Sequence, residues 1–168
     1  LVKKIPIRIK IILWDLFVNI IFASPLIPRE VRVVFYRLFG MKIKTRAINP
    51  KNYIIGKKLS IGKGTFVNYS CFFDCTSLIE IGERCNIAMG TMFVTASHQI
   101  GNIERRAGLD ISKPIKIGNG CWIGARSTIL PGVTIGEGCI IAAGSLVIKN
   151  CSPNSLYAGV PAKRIKEL

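Results

Sequence analysis

A single histidine, His98, occurs among the 168 residues. Imidazole changes charge near neutral pH, so one held beside a hydroxyl can take its proton as that hydroxyl attacks. His98 opens a polar, glycine-containing segment, residues 95–114, that interrupts an otherwise regular pattern. Long loops thrown out of a regular scaffold usually carry function. Other side chains that could do chemistry are the amide of Asn68, the carboxylate of Asp74, the indole of Trp122 and the closing cations Lys163, Arg164 and Lys166. The cysteines are 71, 75, 85, 121, 139 and 151. Only Cys71 and Cys75 are close, and no second pair completes a tetrahedral metal site, so neither a metal nor a disulfide framework is expected.

These residues sit on a repeat. Stepping by six from Ile117 lands on Ile123, Ile129, Ile135, Ile141 and Val147; Gly follows at 118, 124 and 136. Stepping back from Phe73 lands on Val67, Ile61 and Ile55, then Asn49 and Ile43. The frame slips by two residues and resumes at Ile81, Ile87 and Phe93. Four residues after each aliphatic position stands a mostly small one: Thr65, Cys71, Ser77, Cys85, Thr91, Cys121, Ser127, Val133, Cys139, Ser145, Cys151. Five of the six cysteines fall in this register, as small, reduced core residues. A six-residue period suits neither an amphipathic helix nor an alternating strand. It suits a short strand plus a turn, with glycine allowing the turn's unusual backbone. Three such units close a triangular coil that buries its apolar side chains only on the next coil.

At this point residues 43–165 resemble the hexapeptide-repeat, left-handed parallel β-helix acyltransferases. The fold class that follows is an all-β solenoid with an N-terminal helical segment and one protruding loop. The block Ile115-Lys-Ile-Gly-Asn-Gly-Cys-Trp122-Ile-Gly-Ala125 is close to the family signature, and Phe66-Val-Asn68-Tyr-Ser-Cys-Phe-Phe-Asp74 looks like the matching segment of the galactoside and maltose O-acetyltransferases. The resemblance implies acetyl-CoA as donor, His98 as general base, and Asn68 holding the acceptor and stabilising the transition state. It implies Asp74 on the acceptor, offset by one residue from the galactoside enzyme's position. It puts Trp122 beside the base and the pantetheine arm, Ala125, Ala143, Ile148 and Lys149 along the coenzyme, and Lys163, Arg164 and Lys166 near its nucleotide end. It also implies a homotrimer, one subunit supplying His98 and Trp122 and its neighbour Asn68. Carbonic anhydrases sharing the fold need three histidines on zinc, which one histidine cannot supply.

Lys+Arg is 24 against Asp+Glu 9, a formal +15. That excess calls for an anionic partner. No zinc-finger, RNP or helix-turn-helix pattern supports nucleic acid; coenzyme A phosphates and a membrane surface both answer to it. Three segments are expected: residues 1–42, apolar, basic and helical; 43–152, the β-helix with its loop at 95–114; and 153–168, a basic tail. In the leader, Lys3, Lys4, Arg8 and Lys10 precede the apolar run 11–22, in which Asp15 and Asn19 share a helical face and argue against a signal peptide or a span. Pro28 starts a second helix ending near Gly40. These helices cap the solenoid or lie on a membrane surface through residues 1–40. The leading expectation is O-acetylation of a sugar, as a free or lipid-linked polysaccharide precursor, in capsule, exopolysaccharide or lipopolysaccharide assembly. The location would be the cytoplasm or the inner face of its membrane. The alternatives are acetyl transfer to an amine, amino acid or antibiotic, and a non-catalytic interaction solenoid.

Overall fold

In the computed structural model, which describes residues 6–168, the hexads wind into a parallel β-solenoid; Lys3 and Lys4 of the leader lie outside the described residues. Its first face stacks Lys42–Ile43, Leu59–Ile61, Ile79–Ile81, Ile115–Ile117 and Thr134–Ile135. The second stacks Ala47–Ile48, Phe66–Val67, Asn86–Ile87, Trp122–Ile123, Ile140–Ile141 and Ser155–Gly159, closed by Ala162–Glu167. The third stacks Tyr53–Ile55, Phe72–Asp74, Met92–Val94, Thr128–Ile129 and Leu146–Val147. Pairing between coils is parallel and in register, as in Ile81 beside Ile117 and Val67 beside Ile87. The branched side chain of each hexad is thereby stacked on its equivalent one coil away. Phe73 and Phe93, both buried, lie face on face at 5.2 Å.

The small register fills the corners. All six cysteines are buried and free, and burial pushes the Cys71 thiol up to about 11 and those of Cys75 and Cys151 up to about 12. Those three, with Cys139 also raised by burial, are core thiols that stay protonated at neutral pH, whereas a hydrogen bond with the neighbouring Cys121 lowers Cys85.

The inward frame differs from strict steps of six at two places. In the first coil the buried residues are Ile48 and Ile54, while Ile55 is 43% exposed. Among the described residues no earlier coil pairs the backbone of Ile54. Asn19 accepts its N–H at 2.8 Å, and the Trp14 indole donates to its carbonyl at 2.7 Å. These bonds satisfy groups that would otherwise be orphaned. Between Phe73 and Ile81 the two-residue slip is taken up at a corner, so Ile79 occupies the buried slot and Ser77 is only half-buried. Asp74 shapes that corner. Its carboxylate accepts from the Thr76 hydroxyl at 2.6 Å, the Thr76 N–H at 3.1 Å and the Ala96 N–H at 2.8 Å.

Of the glycines after the aliphatic positions, Gly56 has the expected left-handed backbone, but the others serve a different purpose. Gly62, Gly82, Gly118, Gly124 and Gly136 have no left-handed backbone; a Cβ on Gly118 would lie 2.6 Å from the Glu137 nitrogen one coil on. They let coils approach. The left-handed conformation falls two residues later, at Gly64, Arg84, Gly120, Arg126 and Gly138.

The leader folds as an α-helix, Ile7–Trp14, continued by a wider π-helical stretch, Asp15–Ile21, and a second α-helix, Arg29–Leu38, entered through Pro28. Asn19 donates to Asp15 at 2.8 Å, so the two polar residues do share a face, and that face meets the first coil. Arg32 is buried and donates to the carbonyls of Phe22, Ile48, Ser24 and Ile27 at 2.7–2.9 Å. It ties both helices to the second face. Residues 95–114 form a hairpin, Ala96–Ile100 against Ala107–Ser112. The closing segment is likewise a strand pair, Ser155–Gly159 antiparallel to Ala162–Glu167, rather than an unstructured tail.

Two outcomes follow. Gly118→Ala should cost about 1–3 kcal/mol by forcing coils apart, whereas Gly120→Asn, with open space around a left-handed position, should cost less than about 1 kcal/mol; urea unfolding of both variants measures this. Burial raises the Asp74 pKa, but hydrogen bonds from Thr76 and Ala96 outweigh it and hold the group below its ordinary value of 3.8. Its stabilising contribution is therefore complete above that value and lost as pH falls through the lowered one. Melting temperatures of wild type and Asp74→Asn should converge as pH drops below about 4.

Candidate functional site

Three successive coils of the second face place Phe66, Asn86 and Trp122 one above another with their side chains outward. With Asn68 and Ala88 at the adjoining corner they line a cleft of about 390 Å³. Asn68 is held in one orientation. Its Oδ1 accepts the Tyr69 N–H at 2.8 Å and the Asn49 side-chain amide at 3.3 Å. A backbone N–H can be met only by the oxygen, so Nδ2 is on the other side, where it donates to no group among the described residues. Trp122 is 56% exposed, an apolar wall with no partner of its own. Asn68 and Trp122 thus line one cleft of a single chain.

The corner beside this cleft is covered by little more than methyl groups. Ala125 and Ala143 occupy equivalent places one coil apart, tied by the Gly144 N–H to the Ala125 carbonyl at 2.8 Å. Their own amide N–H groups donate to nothing among the described residues, so the edge presents free donors. Ile148 and Lys149, both exposed, follow the last strand of the third face. Lys163 and Lys166 are exposed and in no ion pair among the described residues. Arg164 differs: its guanidinium donates to Ser155 Oγ at 2.9 Å and Glu167 at 3.1 Å, so it is engaged within its own hairpin.

His98 sits on the first strand of the 95–114 hairpin. Its Nδ1 lies 3.0 Å from Asp110 Oδ1 and 3.3 Å from the Gly108 carbonyl. Both neighbours are acceptors, so Nδ1 carries the proton and Nε2 keeps the lone pair. Sequence reasoning missed Asp110 and Gly108. The pairing of His98 with Asp110 comes from the hairpin register, and residues 95–114 have no periodicity from which to read it. The hairpin leaves from the corner between the third and first faces, whereas the cleft lies along the second, and His98 does not line it. One chain therefore brings Asn68, Trp122, Ala125 and Ala143 onto one edge and holds His98 apart. Asp74 is also outside the cleft, at the base of the hairpin. No three His, Cys, Asp or Glu side chains gather to hold a metal among the described residues.

Known proteins share this architecture. Residues 114–149 match the family described as "Bacterial transferase hexapeptide (six repeats)". A protein of Staphylococcus haemolyticus named as an acetyltransferase is 44% identical over 82% of this chain and 72% of its own length. The galactoside O-acetyltransferase of Escherichia coli is 35% identical over 71% of this chain, which spans 59% of that relative's length. The crystal structure of a hexapeptide-repeat acetyltransferase from Vibrio cholerae, complexed with acetyl coenzyme A, is 30% identical and superposes with a TM-score of 0.85 over 99% of this chain and 92% of that one. The repeat, its stacking and these likenesses agree, and the chain belongs to the hexapeptide-repeat acetyltransferases.

Proposed function

We propose that the protein transfers acetyl from acetyl-CoA to a sugar hydroxyl, in a homotrimer whose active site lies between the Asn68 cleft of one subunit and the His98 hairpin of the next. The observation that carries the reading is the held amide of Asn68, whose donors are free in the cleft walled by Trp122. His98 stands elsewhere on the same chain, so a second copy must bring it in. The outward side chains support such an assembly. The first face presents Lys42, Ser60, Glu80, Lys116 and Thr134, whereas the other two present mostly apolar rows, Phe66, Asn86, Trp122 and Ile140 on the second and Tyr53, Phe72, Met92, Thr128 and Leu146 on the third. Two apolar faces and one polar face suit a closed ring with the polar face to solvent.

The chemistry follows from the parts. Nε2 of His98 takes the acceptor hydroxyl proton, and the oxygen attacks the thioester carbonyl. The tetrahedral intermediate places negative charge on the carbonyl oxygen, where the Asn68 amide donates. Collapse expels coenzyme A as thiolate, which receives the proton from the imidazolium. Asp110 and Gly108 keep the ring turned. Ala125 and Ala143 offer amide donors along the pantetheine, Ile148 and Lys149 continue the track, and Lys163 and Lys166 meet the phosphates. Arg164 braces their hairpin, and Asp74 sets the exit of the catalytic one. The likeness to the galactoside enzyme supports a sugar acceptor. The apolar, basic leader supports one being built into a surface polysaccharide, presented on lipid at the inner membrane face.

With radiolabelled acetyl-CoA and a panel of sugar, lipid-linked sugar and amine acceptors, label should appear on a sugar hydroxyl. His98→Ala should lower kcat by about 10²–10⁴, and Asn68→Ala by about 10²–10³, with melting temperature and coenzyme A affinity kept. Transfer only to amines would reject the acceptor, and an unchanged His98→Ala rate would reject the base.

A further inference from the structure

The first helix, Ile7–Trp14, buries none of its residues. Yet it is clamped: Trp14 donates to Ile54, and Asp15 accepts from Asn19 and from the Tyr53 hydroxyl. Its orientation on the solenoid is thus set, with the polar groups at 15 and 19 turned toward the first coil. The side turned away carries Ile9, Ile12, Leu13 and, beyond the helix, Leu16 and Ile20, all 40–64% exposed. These follow an i, i+3, i+4, i+7, i+11 spacing, a stripe along that side; Ile7 and Ile11 are exposed as well, so the helix is apolar nearly all round and its outward side is set by the clamp to the first coil. Arg8 and Lys10 flank it, both exposed, and the helix contains no acidic residue.

We infer that this stripe is a docking surface for an anionic lipid bilayer, in which the helix lies flat with its apolar side chains among the acyl ends and Arg8 and Lys10 at the headgroups. The inference deepens the membrane-face reading above by naming the surface that makes the contact. Three observations favour lipid over another protein segment. Apolar side chains and cations alternate on one helix, the composition that pairs buried area with attraction to anionic headgroups. The charges of residues 1–40 are lopsided even with the inward-engaged Arg32, Arg37 and Asp15 set aside: Lys3, Lys4, Arg8, Lys10 and Arg29 against Glu30. And no helix among the described residues is long and apolar enough to cross a membrane, so what these residues offer a bilayer is a surface contact.

The test is sedimentation of the whole chain with vesicles of phosphatidylcholine alone or containing about one-third phosphatidylglycerol. Wild type should bind the anionic vesicles at low salt and leave them at high salt. Ile12→Glu/Leu16→Glu should weaken that binding by at least about tenfold. Its melting temperature, sedimentation coefficient without vesicles and acetyl transfer to a soluble sugar should stay unchanged. Arg8→Glu/Lys10→Glu, which leaves the apolar stripe intact, should weaken binding to anionic vesicles and serves if the first variant does not fold. Absence of binding to anionic vesicles, binding unaffected by both variants, or a smaller assembly in Ile12→Glu/Leu16→Glu would overturn the inference, the last by showing the stripe to be a subunit contact. Vesicle binding by a chain that acetylates no sugar would reject the acceptor and leave this surface standing.

Discussion

A coil of this solenoid cannot bury its own side chains. Ile81 is covered by Ile61 and Ile117, Phe93 by Phe73 and Ile129, and the contact exists only because backbones approach closely at Gly82 and Gly118. Everything else depends on that close stacking. It fixes which residue of each hexad points inward, so the outward residues are free for other work. It also leaves two ends where, among the described residues, no further coil stacks. At one, Asn19, Trp14 and Arg32 supply the missing hydrogen bonds from helices; at the other, the Ser155–Gly159 and Ala162–Glu167 pair closes the second face.

The candidate site is a product of the same spacing. Because strands repeat in register, Phe66, Asn86 and Trp122 form a column, the residues two further on form another, Asn68, Ala88, Gly124 and Ala142, and one residue beyond those Ala125 and Ala143 stack in a corner column. Small residues in that corner column uncover backbone donors, which a bulkier side chain would screen. The hairpin is the one place where the stack is left. Asp74 anchors it through Ala96, two residues before His98, so the position of the base derives from a buried carboxylate in the core wall.

Much of this was legible in the order of residues, and the failures share a cause. Columns such as Ile117, Ile123 and Ile129 obey the period because each has a coil on both sides. Ile55 and Ser77 do not hold the slots assigned to them, since the first coil meets a helix instead of a coil and the corner at Asp74 absorbs two extra residues. The glycines were recognisable, but a period shows only that a small residue is needed, not whether for φ or for space. Asp110 stayed hidden because a hairpin's register depends on a turn inside an aperiodic segment. The separation of His98 from the Asn68 cleft required three dimensions: the two lie off different faces although only 30 residues separate them in the chain.

The central claim is that one copy supplies the imidazole and another the amide. Subunits carrying His98→Ala and subunits carrying Asn68→Ala, each inactive alone, can be co-expressed with different tags and the mixed assemblies purified. A shared site predicts recovery to about a third of the wild-type rate, because each mixed trimer, 2:1 or 1:2, has one of its three interfaces pairing an intact His98 with an intact Asn68. Mixed assemblies that form but stay as inactive as either parent would contradict the account.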